Sequence, residues 1–418
     1  MSQNVRKVGF YCWAGPGTIR MTQLKYFNPA IDSASMISSY DDLYLQRIKE
    51  LFGVTDVWVS YSWGFADETE KIDKDFTLSK LVNFKKNGMK THAYVQGPNV
   101  VYEDFKDKKD WFAKDLKGKL VSYHRGRKVV CLNNPEYKKY VSERITEMCN
   151  HDFDGIFMDN IQMGQLGVPG TFPNKSIFFG CNCMVCNELF LKKTGQSIAI
   201  AFKSKAGREK YLQFRLKSTL SFIKVVSDIV HKQGKEFGTN SYDPKFNTQH
   251  VYGTDVKKLE KYQDYILFEN HSLPNRKRTR HNQYIQRFIE TYKLSKPVFV
   301  VSYKKGIGFD SSYTQQELDL VFSEAEHSNF AVCLKGSEFV TKKIWHNLMP
   351  EKYRKPSIIQ HDWITRRRNI LHRIKVLIQF KLLSPITPYH LTKNFFELYM
   401  ERKLARKALG WLQVMILK

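Results

Sequence analysis

Eight short apolar runs recur between residues 7 and 336, and between them the hydrophobic spacing changes to the period of a helix. The runs cover 7–13, 55–63, 90–97, 153–160, 236–243, 265–271, 297–303 and 329–336. Several are almost continuously apolar, as parallel strands covered on both faces are. Helical patterns at 41–52, 77–86, 135–149, 208–232, 281–294 and 314–327 separate them. Gly53, Gly88 and Gly234 act as C-terminal stops, and Pro135 sits in a first turn. Strand and helix repeated in this way predict an α/β fold, the (β/α)8 or TIM barrel. The competing fold, an open doubly wound sheet, would carry Gly-x-Gly-x-x-Gly after its first strand, and this chain does not.

Two connections are longer than plain turns. Residues 99–129, after the third run, are basic and aromatic, and residues 161–206, after the fourth, hold a cysteine cluster. Long loops at the C-terminal ends of barrel strands build active sites. Beyond Pro350 and Pro356 the chain changes character. Arg366, Arg367 and Arg368 lead into Ile370, Ile374, Leu377 and Ile378 at helical spacing. The predicted division is therefore a barrel over 1–345 and a basic amphipathic helical tail over 346–418.

Residues 341–418 supply 17 Lys and Arg against 4 Asp and Glu, half of the chain's formal net charge of +26. A basic amphipathic helix can lie on an anionic membrane surface, or it can pack its apolar side on the barrel. Nucleic acid is disfavoured as a partner, because no recognised binding module accompanies the charge. An aromatic content of 14% excludes a disordered chain. No stretch approaches the roughly 20 apolar residues of a membrane span. The N-terminus enters the first run without a signal-peptide core, so the expected location is cytoplasmic, peripheral at the inner membrane face through the tail. Oligomeric state is left open.

In a barrel, the reactive side chains stand where strands end. Those ends supply Tyr11 and Trp13, Trp63, Gln96, Asp159 with Asn160, Asn240 with Tyr242, Glu269, and Tyr303. Aromatic faces suit the C–H faces of sugar rings, and amides bond to hydroxyls. Two carboxylates can divide the cleavage of a glycosidic bond, one protonating the leaving oxygen and one attacking or stabilising the anomeric carbon. Asp159 follows an apolar run in which an acid is costly to bury; its other reading is a loop cap on backbone amides. Glu269 follows Tyr-Ile-Leu-Phe in the same way, or else is a surface ion-pair partner. Tyr11, Trp13 and Trp63 are sugar platforms or barrel packing. Asp154 stands at the wrong end of its strand and reads as structural.

Seven cysteines, an odd number, do not describe a disulfide framework. Cys181, Cys183 and Cys186 form Cys-x-Cys-x-x-Cys, three thiolates in one short loop, which suits a closed tetrahedral zinc site once a fourth ligand arrives. Cys131 is the best candidate. The alternative is a set of reduced thiols without metal. No organic cofactor is expected.

The run at 127–137, then Asp-Gly-Ile-Phe-Met-Asp-Asn at 154–160, then Cys-Asn-Cys-Met-Val-Cys from 181 resembles hypothetical glycosyl hydrolases with a TIM barrel. It is also similar to the zinc region of family 42 β-galactosidases, a resemblance that implies Cys131, Cys181, Cys183 and Cys186 as ligands. Those enzymes carry a Glu after Asp-Asn on strand four, where this chain has Ile161, and another at the end of strand seven, where it has Ser302 and Tyr303. Their acid and nucleophile are therefore not transferable. Acids on strands four and six resemble, by position alone, the α-galactosidase-like clan. The expectation is a glycosidase acting on a glycan or glycoconjugate through Asp159 and Glu269. The alternative is a non-catalytic carbohydrate-binding barrel attached to a membrane-bound glycan assembly.

Overall fold

The computed structural model describes residues 7–12, 15–17, 38–124, 126–164, 180–244, 248–270, 284–302 and 315–335. In chain order the strands are β1 (Val8–Cys12), β2 (Asp56–Ser62), β3 (Lys90–Gln96), β4 (Asn99–Val101), β5 (Ser122–His124), β6 (Arg127–Val129), β7 (Gly155–Asp159), β8 (Glu236–Asn240), β9 (Tyr265–Asn270), β10 (Val298–Ser302) and β11 (Ala331–Lys335). Eight of them close into a parallel barrel in the order β1-β11-β10-β9-β8-β7-β3-β2. They are the eight apolar runs. Closure is made by β1, which pairs with β2 on one side and β11 on the other. The tail, 346–418, lies outside the described residues.

The helices that cover the barrel are α1 (Asp42–Phe52), α2 (Asp67–Lys86), α3 (Pro135–Cys149), α4 (Met184–Thr194), α5 (Lys205–Lys232), α6 (Tyr284–Tyr292) and α7 (Gln315–His327). Helix α3 shows why the sequence folds so. Asn134 accepts the Tyr137 amide at 2.8 Å, and Pro135 needs no partner in the first turn. Tyr137, Val141, Ile145 and Met148 then line one buried stripe, each contributing about 1.5–3 kcal/mol by leaving water. Asn134→Ala would remove the cap at a cost of about 1 kcal/mol. Helix α2 starts ten residues earlier than its apolar pattern, which begins at Thr77. Its first half is mostly charged, and tertiary contacts of Glu70 and Asp73, both buried, hold it.

Inside the barrel, rings replace the usual aliphatic layers. Trp58 meets Phe299, Tyr265, Phe157 and Tyr11 at centroid distances of 5.0 to 6.2 Å. Gly9 makes room for it: a Cβ there would stand 2.4 Å from the indole. This aromatic plug separates the two ends of the barrel. The basic, aromatic connection after β3 forms a second, antiparallel sheet, β4-β6-β5. Among the described residues, no helix is long and apolar enough to cross a membrane.

Candidate active site

Strand ends bring three of the expected polar residues onto one point. Asp159 closes β7, Asn240 closes β8 and Glu269 is the penultimate residue of β9. The Asn240 amide nitrogen donates to Asp159 Oδ1 at 2.7 Å and to Glu269 Oε1 at 2.6 Å. Two oxygens bound to one nitrogen at these lengths are no more than about 5.3 Å apart. Asn240 Oδ1 accepts the Tyr242 amide at 2.7 Å, which fixes which way its nitrogen faces. All three side chains are at most 5% exposed.

Asp159 is held by neutral donors. Besides Asn240 it accepts from the Tyr94 hydroxyl at 2.9 Å and from the backbone and side-chain nitrogens of Asn160, both at 2.8 Å. Burial, and next the Glu269 charge, push its pKa up to about 6 in spite of those bonds. The Tyr94 hydroxyl also stands 2.9 Å from Gln96 Oε1, but its one proton serves the carboxylate better. Fully buried Arg127, brought by β6, donates to the side chain and carbonyl of Asn99 and to the Trp63 carbonyl. Burial lowers its pKa to about 10, so it stays charged, and that charge acts on Tyr94 and Tyr123 beside Asp159.

The backbone is strained at this point. Asn160 and Tyr242, just past β7 and β8, have φ of 55° and 58°. Asn tolerates the left-handed region; for Tyr it costs about 1–3 kcal/mol. Stacking on Tyr252 at 4.1 Å and a 3.0 Å bond to Gln162 Oε1 hold Tyr242 there. Gly97 lets β3 approach: its amide binds the Asp159 carbonyl at 2.8 Å, and a Cβ would sit 2.2 Å from that oxygen.

Of the expected contacts, Gln96, Asn160 and Tyr242 border the carboxylates. Gln96 Nε2 is buried without a hydrogen-bond partner among the described residues. Tyr11 and Trp63 are buried in the ring plug: Tyr11 packs on Trp58, Tyr94 and Phe157, and Trp63 packs on Tyr94 at 4.4 Å. Trp13 and Tyr303 lie outside the described residues. Tyr94, Tyr123, Arg127 and Gln162 escaped the sequence reading. Tyr94 was findable, since it stands two residues before Gln96 and so shares its face of β3.

The four cysteines named as a cluster do converge. Cys131, Cys181, Cys183 and Cys186 are buried, with sulfurs within 4.8 Å of one another, a group able to hold a metal. Cys131 lies 3.4 Å from Cys186 and 3.5 Å from Cys183. A tetrahedron with metal–sulfur bonds of about 2.3 Å has edges of about 3.8 Å, so the donor set fits with small adjustments. Asn133 Nδ2 donates to Cys186 at 3.4 Å, and the Tyr211 hydroxyl receives the Cys181 amide at 2.7 Å. Burial raises the Cys181 thiol, whereas hydrogen bonds from the three other thiols lower Cys183. The cluster ties the segment just after β6 to the N-terminus of α4, joining the two long connections.

Residues 81–174 match the model of hypothetical glycosyl hydrolase family 15. That segment includes Tyr94, Tyr123, Arg127, Cys131 and Asp159. A comparison with curated proteins gives no match. Among solved structures, a β-galactosidase from the psychrophilic Marinomonas ef1 is similar at 13% identity and TM-score 0.53, over 79% of this chain and 53% of that one. An α-L-fucosidase isoenzyme from Paenibacillus thiaminolyticus gives 16% and 0.50, over 84% and 48%. The catalytic domain of a β-amylase from Paenibacillus polymyxa gives 11% and 0.50, over 87% and 99%. The chain thus spans about half the length of the first two, and the likeness is one of fold.

Proposed function

We propose that the chain is a glycoside hydrolase whose reacting groups are Asp159 and Glu269. One observation carries this: two buried carboxylates from separate strands share a single amide at the mouth of a barrel. Asp159, wrapped by neutral donors, is the nucleophile or stabilising carboxylate. Glu269 is the general acid, then the base. The separation of no more than about 5.3 Å between the bound oxygens suits direct attack and retention, and is short of the roughly 6.5–9.5 Å that an inverting pair leaves for water. Burial, and next the Glu269 charge, raise the proton affinity of Asp159. Gln96, Asn160, Asn240 and Tyr242 supply hydrogen bonds to sugar hydroxyls, with Trp13 and Tyr303 as further contacts. Tyr11 and Trp63 support the floor.

Turnover of a panel of aryl glycosides and soluble glycans tests this. Asp159→Asn and Glu269→Gln should each lower kcat by about a hundredfold or more. Undiminished turnover in both would end the assignment, and tight sugar binding without turnover by the native protein would point to a binding barrel.

The cysteine cluster is proposed to hold zinc as a closed structural centre, pinning both long connections. Elemental analysis should find one zinc per chain and none in a Cys181→Ser, Cys183→Ser double variant. The basic tail is proposed to rest on an anionic membrane surface inside the cell. Sedimentation with phosphatidylserine vesicles should be lost when 346–418 are removed.

A further inference from the structure

Tyr123 reaches the mouth from outside the barrel, on β5 of the inserted sheet. Its hydroxyl meets Asn160 Oδ1 and stands in hydrogen-bonding contact with Tyr242. Asn160 is the residue that gives Asp159 two of its donors, the backbone N–H to Oδ1 and Nδ2 to Oδ2. An amide presents its oxygen and nitrogen on opposite sides, so whatever holds the oxygen decides where the nitrogen goes. If the Asn160 amide turned over, its oxygen would face a carboxylate oxygen, a repulsive contact.

We propose that Tyr123 is a positioning residue: by gripping Asn160 Oδ1 it keeps both N–H donors of Asn160 on Asp159. This deepens the hydrolase reading, in which Asp159 must stay ionised and aimed, but the lock itself does not depend on that reading. The sheet carrying Tyr123 has its own anchorage. Val130 N binds the Pro98 carbonyl at 2.9 Å, and Cys131, two residues past β6, enters the cysteine cluster. The hydroxyl is thus delivered by a frame separate from the barrel strands that carry the carboxylates.

The titratable groups facing Asp159 are Tyr94 from β3, Tyr123 from β5, Tyr242 after β8 and Glu269 from β9, and the Arg127 charge from β6 acts on Tyr94 and Tyr123. Tyr94 and Asn240 continue to donate when Tyr123 is altered, so a partial effect is expected. Donors to a carboxylate favour its charged form, and loosening one raises its proton affinity.

The test is a carbon-13 NMR titration of full-length protein labelled at the aspartate carboxyl carbons, with Asp159 assigned by its absence in Asp159→Asn. In Tyr123→Phe the Asp159 midpoint should rise by about half a unit, a roughly threefold tighter hold on the proton. Asn160→Gly, which suits the left-handed backbone, should shift it at least as far, and adding Tyr123→Phe to that variant should shift it no further. An unchanged midpoint in Tyr123→Phe, or fully additive shifts in the double variant, would overturn the proposal. Because no substrate is involved, failure of this lock and failure of the hydrolase reading are separate results.

Discussion

Asp56 at the N-terminal end of the barrel is as buried as Asp159 at the C-terminal end, 2% against 3% exposed, yet their proton affinities move in opposite directions. Burial pushes both up. At Asp56 the bond from His92 at 3.3 Å, the Thr55 hydroxyl at 2.6 Å, and the charges of His92 and Lys7 more than offset it. Its neighbour Glu236 has Lys90 at 2.5 Å. At Asp159 the closest charge is another carboxylate, and the donors are neutral. The lower cluster is arranged to be stable in its charged form, whereas at the upper one burial and the neighbouring carboxylate raise the proton affinity of Asp159. That contrast supports placing the proposed chemistry at the C-terminal end.

The largest contrast is expected between Asp56→Ala and Asp159→Ala. The first leaves fully buried His92 without the Asp56 acceptor, takes from the half-buried Thr55 hydroxyl the shorter of its two bonds, and should destabilise by about 2–4 kcal/mol in urea unfolding, with turnover per folded molecule intact. The second should abolish turnover. If Asp56→Ala proved silent in stability, or removed turnover from folded protein, the contrast between the ends would collapse.

The pH dependence should differ in sign. The folded chain binds a proton at Asp159 more tightly than the unfolded chain, at about 6 against an ordinary 3.8. Its contribution to stability therefore grows as pH falls from above 6 toward 3.8, on the order of 3 kcal/mol. Asp56, lowered, contributes stability that is present above the ordinary value and lost as pH falls through its folded value. Subtracting the unfolding free energies of Asp159→Asn from those of the native protein between pH 4 and 8 should isolate the first slope. A flat difference would contradict the raised affinity.

The smallest effect belongs to Lys90→Met. The Lys90 and Glu236 side chains are 49% and 32% exposed, so solvent screens the pair and the loss should stay below about 1 kcal/mol. A larger loss would mean that the lower cluster depends on Lys90 more than exposure suggests.

Periodicity made the barrel legible because a strand covered on both faces must be apolar throughout, and all eight runs became strands. The carboxylates were legible for a related reason: Asp159 and Glu269 interrupt such runs at their ends. Cys131 was reached from the need of three clustered thiols for a fourth ligand and from the resemblance to the zinc region of family 42 β-galactosidases. What stayed hidden depends on contacts distant in sequence. Tyr123 meets Asn160 across 37 positions and Trp58 meets Tyr265 across 207, and no local pattern signals either. Tyr11 and Trp63 stood at strand ends, yet ring packing inside the barrel took them. The charged first half of α2 defeated a search for apolar spacing, since ion pairs and buried Glu70 hold it rather than an oily stripe.

Whether the two upper carboxyl groups act together on one anomeric carbon is answered most directly by proton NMR of the sugar first released from a hydrolysed substrate. Their closeness predicts that the product appears with the anomeric configuration of the substrate and only later mutarotates. Initial appearance of the opposite anomer would contradict the account.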